Sequence, residues 1–165
     1  MKYSKIKEVI SPNYGTSGSA GIDFYVPEFT KEFIKHFDEI NDHIDFDHHN
    51  SEIRVHSAQR VLIPSGIKVD VPKGYALIGF NKSGIASKTG LILGPQVIDE
   101  DYQGEIFFGL INTSSKTVII RRNMKIVQLL LIPIAKPKEF IEVPIEELYS
   151  EETDRKDGGF GSTGV

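Results

Sequence analysis

The alternation of apolar and polar residues is the dominant pattern in the chain, and it is clearest after Arg60. Residues 67–71, Ile-Lys-Val-Asp-Val, alternate strictly between the two classes, as expected of a strand with one buried face. Pro, Gly, Asn and Ser residues form turn signals between this run and others like it. The pattern predicts strands at residues 3–10, 22–26, 60–63, 67–71, 75–80, 105–112, 117–120 and 125–132. Short strands spaced in this way indicate an all-β fold, either a sandwich or a barrel.

Helical spacing is confined to two segments. Apolar residues recur three and four positions apart after Thr30, which predicts an amphipathic helix near residues 30–46. One or two helical turns are predicted at residues 83–88. The five histidines fall in or just after the first segment, at His36, His43, His48, His49 and His56. Their spacing matches no recognised ligand pattern, so it does not favour a zinc site there.

Composition narrows the class of protein. At 165 residues the chain is long enough for one domain with a substantial core. Its net charge of −4 and pI of about 5.7 argue against a broad basic face, so we expect no nucleic-acid polymer as a partner. The absence of cysteine excludes disulfides and thiolate chemistry. No apolar run resembles a signal core or a membrane span, so we expect a cytoplasmic protein without a membrane partner, or one in the host cytoplasm if the source is viral.

The stretch from Gln96 to Ile106 is unusual for a structural turn. Two apolar residues lead into three successive acids, of which Asp99 is the first, and Tyr102, a glycine and a new apolar run follow. The pattern predicts a β-hairpin with an acidic tip. Adjacent carboxylates repel one another, and a structural turn more often uses Asn-Gly or Asp-Gly. The stretch is therefore either a solvated turn or a carboxylate held beside a ring that can lie against a flat ligand.

This stretch and four other segments, in order, resemble the five motifs of the homotrimeric dUTPase family (deoxyuridine triphosphate diphosphatases). The segments are residues 20–25 (Ala-Gly-Ile-Asp-Phe-Tyr), 81–86 (Asn-Lys-Ser-Gly-Ile-Ala), 96–106, 124–129 (Met-Lys-Ile-Val-Gln-Leu) and 155–164 (Arg-Lys-Asp-Gly-Gly-Phe-Gly-Ser-Thr-Gly). The resemblance implies an all-β, dUTPase-like barrel or jelly-roll (β-clip) fold. It implies a body at residues 1–152 and a flexible C-terminal arm at residues 153–165.

The resemblance excludes residues 28–57. The family usually connects the first motif to the next strand through a much shorter link. The amphipathic helix near residues 30–46 is therefore expected to belong to an insertion, at about residues 28–57, packed on the outside of the body.

The resemblance also implies a reaction and a role in it for individual residues. The resemblance implies hydrolysis of dUTP to dUMP and pyrophosphate, which keeps uracil out of DNA and supplies dUMP for dTMP synthesis. It implies that Asp99 is the base that activates water for attack on the α-phosphorus. Tyr102 would press against the sugar and leave no room for a 2′-hydroxyl. Asp23 would help hold a hydrated Mg²⁺ on the triphosphate, an ion that needs few protein carboxylates.

Other matched positions are implied to bind the substrate. Lys82 departs from the family's usual Arg, and Lys offers a point charge instead of a rigid fork. Gln128 would reach the α-phosphate and the attacking water, and Gln96 stands where a Gly is common in the strand that reads uracil. In the arm, Arg155 would meet the γ-phosphate and Phe160 would stack on uracil. The full set is Lys82, Ser83, Gly84, Gln96, Val97, Tyr102, Gln128, Arg155, Phe160, Gly161, Ser162 and Thr163.

The resemblance also implies partners and leaves alternatives open. It implies a homotrimer in which each active site draws on several subunits, with dUTP as the ligand. One alternative is a dCTP deaminase, or a bifunctional deaminase–diphosphatase, of the same fold. Another is a nucleotide-sensing or protein-binding module whose working surface is the helical segment.

Overall fold

The computed structural model describes residues 1–94 and 96–158, and strands dominate its secondary structure. The strands are β1 (Lys2–Lys5), β2 (Asn13–Tyr14), β3 (Ile22–Tyr25), β4 (Asp45–Asp47), β5 (Glu52–Val55), β6 (Arg60–Pro64), β7 (Ile67–Asp70), β8 (Tyr75–Asn81), β9 (Leu91–Leu93), β10 (Val97–Ile98), β11 (Phe107–Asn112), β12 (Val118–Ile120) and β13 (Lys125–Pro133). The helices are α1 (Lys31–Ile40) and α2 (Ser83–Thr89), and a 3-10 turn covers Ile145–Glu147. The all-β prediction is confirmed.

Antiparallel pairing joins these strands into open sheets. The largest has the order β10-β8-β13-β3-β2, and the smaller ones are β1-β7, β6-β11-β9 and β12-β5-β4. Among the described residues, none of these sheets closes into a barrel. The five-stranded sheet positions most of the candidate site, because four of the five segments that resemble family motifs lie in or directly after four of its neighbouring strands.

The predicted alternation explains how these strands build a core. In β7 the side chains of Ile67 and Val69 are buried, whereas those of Lys68 and Asp70 are exposed. Aromatic side chains join different sheets, as where the ring of Phe24 meets that of Phe108 edge-on at 5.9 Å between centroids. The period-two pattern therefore identified which faces of the strands are buried.

The two strands on either side of the acidic turn do not pair with each other, so the hairpin predicted at residues 96–106 does not form. Strand β10 pairs with β8, whereas β11 pairs with β6 and β9, so the two flanks belong to different sheets. A tight turn does form between them, because the Tyr102 N–H donates to the Asp99 carbonyl at 3.2 Å. The Glu100 carboxylate also accepts a hydrogen bond from the Gly74 N–H. The acidic turn is thus a connection between sheets.

Helix α1 is shorter than the spacing predicts. It begins after Thr30, whose hydroxyl accepts a hydrogen bond from the Phe33 N–H at 3.2 Å. It ends at Ile40, because the buried Asn41 turns its amide back to the helix and across to β6. Asn41 Nδ2 donates to the Phe37 carbonyl at 3.0 Å and to the Leu62 carbonyl at 2.9 Å. Residues 41–44 form a turn, and the last two residues of the predicted helix belong to β4.

Helix α1 packs against the body through one face, and its other residues are exposed or half-exposed. Phe33 and Phe37 have no exposed surface and belong to the same buried cluster as the strands. Their rings stack 6.0 Å apart, and the Phe37 ring lies 6.1 Å from that of Phe46. Strand β5, at the end of the predicted insertion, pairs with β12. The aromatic face of the helix therefore completes the core.

The chain divides into two compact units, Met1–Ile134 and Ala135–Val165. The first contains all the strands described above, and its end precedes the boundary expected at residue 152. In the second, within the described residues, Arg155 Nε donates to the Gly158 carbonyl at 2.8 Å. Among the described residues, neither helix is long and apolar enough to cross a membrane.

Candidate active site

A buried carboxylate with two ammonium partners lies at one end of the five-stranded sheet. Asp23, in β3, is almost fully buried, and its Oδ1 lies 2.5 Å from Lys82 Nζ. Its Oδ2 lies 3.1 Å from Lys125 Nζ. Lys82 directly follows β8 and Lys125 begins β13, so the sheet itself delivers the three side chains. Both lysines are partly exposed, and their cationic ends can reach a ligand above the sheet.

The two lysines also determine the protonation of Asp23. Burial alone raises the pKa of this carboxyl, but hydrogen bonds from Lys82 and then Lys125 outweigh it, so the pKa lies below its ordinary value. In turn, hydrogen bonding to Asp23 raises the pKa of Lys125. The cluster therefore carries one negative and two positive charges at neutral pH. Its net positive charge suits an anionic ligand.

Gln128 lies beside this cluster. It is directly opposite Asp23 in the pairing of β13 with β3, and its Nε2 donates to the Asn81 carbonyl at 2.9 Å. Gly21 makes room for it, since a Cβ at that position would lie 2.7 Å from Gln128 Oε1. The structure thus brings together Asp23, Lys82 and Gln128, which the sequence had placed in three separate motifs.

The start of α2 continues the same end of the sheet. Lys82 is the N-terminal capping residue, and Ser83 and Gly84 are the first two helical residues. Both are exposed, and a Cβ placed on Gly84 would meet nothing within 4 Å. Residues 82–84 therefore present a cation, a hydroxyl and an open backbone segment, in agreement with the short helix predicted at residues 83–88.

The acidic turn leaves the candidate base exposed to solvent. Asp99 is exposed, and its carboxylate has no hydrogen-bond or ion-pair partner among residues 1–94 and 96–158. Tyr102, three residues on, is 43% exposed. Its hydroxyl donates to the Glu105 carbonyl at 2.7 Å, so one face of the ring lies over Gly104. The turn presents a solvent-exposed carboxylate and a fixed aromatic ring.

The acidic turn and the Asp23 cluster lie at opposite ends of β8 within one chain. In the β10–β8 pairing Ile98 is opposite Leu77, so the antiparallel direction carries Asp99 toward the beginning of β8. The contact between Glu100 and the Gly74 N–H confirms this direction. Lys82 follows the other end of the strand. At about 3.3 Å per residue, roughly 20 Å of strand separates the two sets.

Gln96 and Val97 precede the acidic turn and approach the middle of β8. The Gly79 N–H donates to the Gln96 carbonyl at 3.0 Å, and Gln96 Nε2 donates to the Phe107 carbonyl. Gln96 Oε1 is buried without a hydrogen-bond partner in the described residues. Val97 is more than half exposed. Gln96 therefore has one buried acceptor without a hydrogen bond in the described residues, and Val97 has an exposed apolar side chain.

The remaining predicted positions belong to the C-terminal segment. Phe160, Gly161, Ser162 and Thr163 lie outside the described residues. Arg155 is described, and its guanidinium bonds to the Gly158 carbonyl within the second unit. In the part of the chain that the structure describes, no three His, Asp or Glu side chains are grouped to hold a metal ion.

Lys125 is the residue that sequence reasoning missed. It lies in the fourth matched segment, but a lysine at the start of a strand is ordinarily a solvated position. Its relation to Asp23 depends on β13 pairing with β3, with a register shift between Lys125 and Val127. Periodicity alone carries no information on that pairing.

Comparison with known proteins gives relatives along nearly the whole chain. The dUTPase family model matches residues 48–164. A deoxyuridine 5'-triphosphate nucleotidohydrolase from Hydrogenobaculum sp. is 35% identical over 156 residues, covering 93% of this chain and 90% of the relative. One from Dictyoglomus turgidum is 35% identical over 162 residues, with 96% and 93% covered.

Solved structures show the same fold. The Staphylococcus bacteriophage 80alpha dUTPase with dUPNHPP superposes with a TM-score of 0.74 at 19% identity, covering 99% of this chain and 98% of its own. A dUTPase variant from phage phi11 of S. aureus, whose structure concerns a structural Mg(II) ion, gives a TM-score of 0.67 at 18% identity, with 88% and 97% covered. These likenesses support the predicted β-clip or jelly-roll architecture.

Proposed function

The chain belongs to the dUTPase family, whose members hydrolyse dUTP to dUMP and pyrophosphate, and we propose that it does so at sites formed by more than one subunit. The observation that carries this proposal is the separation, along β8, of an unpaired carboxylate from a cationic cluster. The carboxylate can act as the base and the cationic cluster can bind the phosphates, but the reaction needs both.

Asp99 is the proposed base. A general base must come within hydrogen-bond distance of the water that it activates, and it contributes about 10²–10⁴-fold in rate. The exposure of the Asp99 carboxylate, which is not engaged elsewhere in the described residues, supports this role. Of its acidic neighbours, Glu100 is bound to the Gly74 N–H. The water held by Asp99 would attack the α-phosphorus and release pyrophosphate.

The cationic cluster is the proposed phosphate site. Lys82 and Lys125 supply two positive charges, and Ser83, Gly84 and Gln128 supply neutral donors beside them. Phosphoryl transfer depends mainly on positioning and on neutralising charge on the phosphate oxygens. Asp23 prevents the two lysines from repelling each other before the substrate arrives.

The donor set at Asp23 also fits a hydrated magnesium ion. Mg²⁺ keeps several waters and is usually held by one or two carboxylates together with substrate phosphates. Asp23 is a single carboxylate beside the proposed phosphate site, and its lysine partners can transfer to phosphate oxygens. When bound, the ion would neutralise charge on the triphosphate. This chain's contribution is to keep Asp23 ionised and oriented.

The geometry of β8 supports an active site that is shared between subunits. The base and the groups that bind the α-phosphate must both lie within about 3 Å of the reacting atoms. Side chains of Asp99 and Lys82 in one chain cannot span roughly 20 Å of strand. A closed ring of subunits, with one chain's acidic turn facing its neighbour's cationic cluster, brings them together. The family's homotrimer has this property.

Recognition of the nucleoside is assigned to the acidic turn and the strand before it. Gln96 and Val97 are assigned to this site because they directly precede the acidic turn. Val97 offers apolar surface to the base, and the Tyr102 ring would exclude a ribose 2′-hydroxyl. In the arm, Arg155, Phe160, Gly161, Ser162 and Thr163 would close over the bound nucleotide as a lid.

Pyrophosphate release tests the proposal directly. The purified chain would be given dUTP, UTP and the four common deoxynucleoside triphosphates, each with Mg²⁺ and with EDTA. We expect turnover of dUTP far above that of the other five, and its loss in EDTA. The same reactions would be assayed for ammonia, because a deaminase would release it from dCTP. The relatives do not favour that alternative, and ammonia without pyrophosphate would establish it.

A further inference from the structure

The orientation of the Tyr102 ring depends on a residue outside the acidic turn. Its hydroxyl donates to the backbone carbonyl of Glu105 at 2.7 Å. A Cβ on the intervening Gly104 would lie 2.3 Å from that hydroxyl, so a side chain at this position would displace the ring. The ring is held on one face by the chain itself, and its position follows the position of the Glu105 carbonyl.

Glu105 is in turn fixed through its side chain. Its carboxylate accepts a hydrogen bond from the Gly66 N–H at 2.7 Å and pairs with the Lys7 ammonium. The side chains of Lys7 and Glu105 are only 17% and 8% exposed. A charge buried to this extent is stable only when it is paired. Lys7 is therefore the counterion that allows a glutamate to occupy this position.

The contacts around this ion pair link the N-terminal segment to the acidic turn. The Ile6 N–H donates to the Gly66 carbonyl at 2.8 Å, just before Lys7 reaches Glu105. On the other side, the Ile106 N–H donates to the Ile67 carbonyl at 3.0 Å. The Glu105 backbone is thus tied to the turn at residues 65–67, which Lys7 covers from outside.

We propose that Glu105, neutralised by Lys7, is a positioning residue for Tyr102 and thereby sets the preference for deoxyribose over ribose nucleotides. The inference rests on the proposed function, because it takes Tyr102 as the residue that contacts the sugar. Rejection of one hydroxyl group requires the position of the ring relative to the sugar to be fixed to within about 0.5 Å. Backbone hydrogen bonds at Ile106 restrain the Glu105 carbonyl, and the contacts of the Glu105 carboxylate with Gly66 and Lys7 complete its fixation.

The experiment compares the selectivity of variants, measured as kcat/KM for dUTP divided by kcat/KM for UTP. Glu105→Gln keeps an acceptor for the Gly66 N–H but removes the charge that pairs with Lys7. We expect selectivity to fall about tenfold, since small displacements of a positioning group can change rates by up to about 10²-fold. Lys7→Met should act in the same direction, whereas Lys7→Arg should retain selectivity. The Lys7 pair tests the inference even if Glu105→Gln does not fold.

A second buried glutamate provides a control that separates positioning from stability. Glu52 is also 8% exposed and pairs with Arg121 at 2.8 Å and with Arg54 at 3.3 Å, but it lies in β5, in a different sheet from the acidic turn. Arg121→Met should lower Tm without changing selectivity, because loss of folded protein reduces both rates equally. In the Tyr102→Phe background, Glu105→Gln should reduce selectivity no further, since the hydroxyl that connects the two residues is already absent.

Two results would overturn the inference, and they can be distinguished. If the wild-type chain prefers dUTP strongly and the Glu105→Gln and Lys7→Met variants prefer it equally strongly, the ion pair serves stability alone. If the wild-type chain hydrolyses UTP as fast as dUTP, the sugar-contacting role of Tyr102 is wrong, and the inference fails with it. An absence of any dUTP hydrolysis would instead contradict the proposed function itself.

Discussion

The ammonium of Lys82 lies 2.5 Å from the carboxylate of Asp23, in a position where the family usually has an arginine. Asp23 also holds Lys125, so two point charges share one buried anion. A lysine can leave such a contact by rotating its flexible stem, whereas an arginine in a two-bond contact is held in one plane. Asp23 therefore holds both lysine ammonium groups next to the proposed phosphate site until a triphosphate competes for them.

Removal of either lysine should weaken substrate binding more than it slows the chemical step. For Lys82→Met we expect KM for dUTP to rise roughly 10- to 100-fold, because a hydrogen bond to a charged group contributes about 1.5–3 kcal/mol. Lys125→Met should act in the same direction. Steady-state kinetics would measure both, with Lys82→Arg as the control that keeps the charge. An unchanged KM in both methionine variants would show that the lysines only neutralise Asp23.

Helix α1 should be essential to the stability of the body. Phe37 is fully buried among Phe33 and Phe46, so Phe37→Ala should lower the free energy of unfolding by about 3–5 kcal/mol. Deletion of residues 31–50 should prevent folding altogether. The exposed Asp38 on the same helix supplies a control, since Asp38→Ala should change stability little. Chemical denaturation would measure all three. A deletion variant that melts like the wild type would show that this segment contributes nothing to the stability of the body.

The sequence predicted local structure well and long-range pairing poorly. Alternation at Ile67–Asp70 identified a strand and its buried face, because burial has a period of two along a strand. The same reasoning joined Ile98 to Phe107 in a hairpin, although they lie in different sheets. Periodicity contains no information on which strand is the neighbour. The helix was extended past Asn41 for a similar reason, since its end depends on hydrogen bonds to Leu62 in another strand.

The β4–β5 loop should make stability depend on pH in the acid range. Hydrogen bonds from the Asn50 side chain and backbone, with a smaller contribution from the His49 N–H, lower the pKa of Asp47 to about 2. Because this pKa is lower in the folded chain than in the unfolded one, the ionised carboxylate stabilises the fold above about pH 4. This contribution disappears as the pH falls through about 2.

Thermal melting of Asp47→Asn and the wild type would test this expectation. The difference in Tm should be largest near neutral pH and should shrink as the pH approaches 2. Asn50→Ala should reduce the same pH-dependent component, because it removes the first of the hydrogen bonds that lower the pKa. A difference that stays constant from pH 7 to pH 2 would mean that ionisation of Asp47 makes no contribution to stability.

Truncation after Glu152 should leave the body folded and nearly inactive. The unit Met1–Ile134 contains the buried cluster, so its melting temperature should change little. The loss of Arg155, Phe160, Ser162 and Thr163 should lower kcat/KM by about 10²-fold or more, since stacking on one aromatic ring alone contributes about 1–3 kcal/mol. Phe160→Ala should give a smaller loss. Full dUTP hydrolysis by the truncated chain would remove the arm from the proposed mechanism.

Mixing an Asp99 variant with a Lys82 variant would test whether the active site is shared. Asp99→Asn removes the base but keeps the phosphate site, whereas Lys82→Met does the reverse. If one chain's Asp99 works with another chain's Lys82, subunits mixed in equal amounts and refolded together should regain intact sites, about one quarter of the total for random assembly in a closed ring. Hydrolysis of dUTP would be measured well below the KM of the Lys82 variant, with each variant refolded alone as the control.

The mixing experiment would give a different result if each site belonged to a single chain. If Asp99 and Lys82 of the same chain formed one site, every site in a mixed assembly would lack one of them, and activity would remain at the level of the two variants alone. The structure argues against that outcome, because the pairing of Ile98 with Leu77 and the contact of Glu100 with Gly74 carry Asp99 away from Lys82. Recovery of activity would therefore establish that β8 acts as a spacer, which separates the base from the phosphate ligands within a chain so that assembly brings them together.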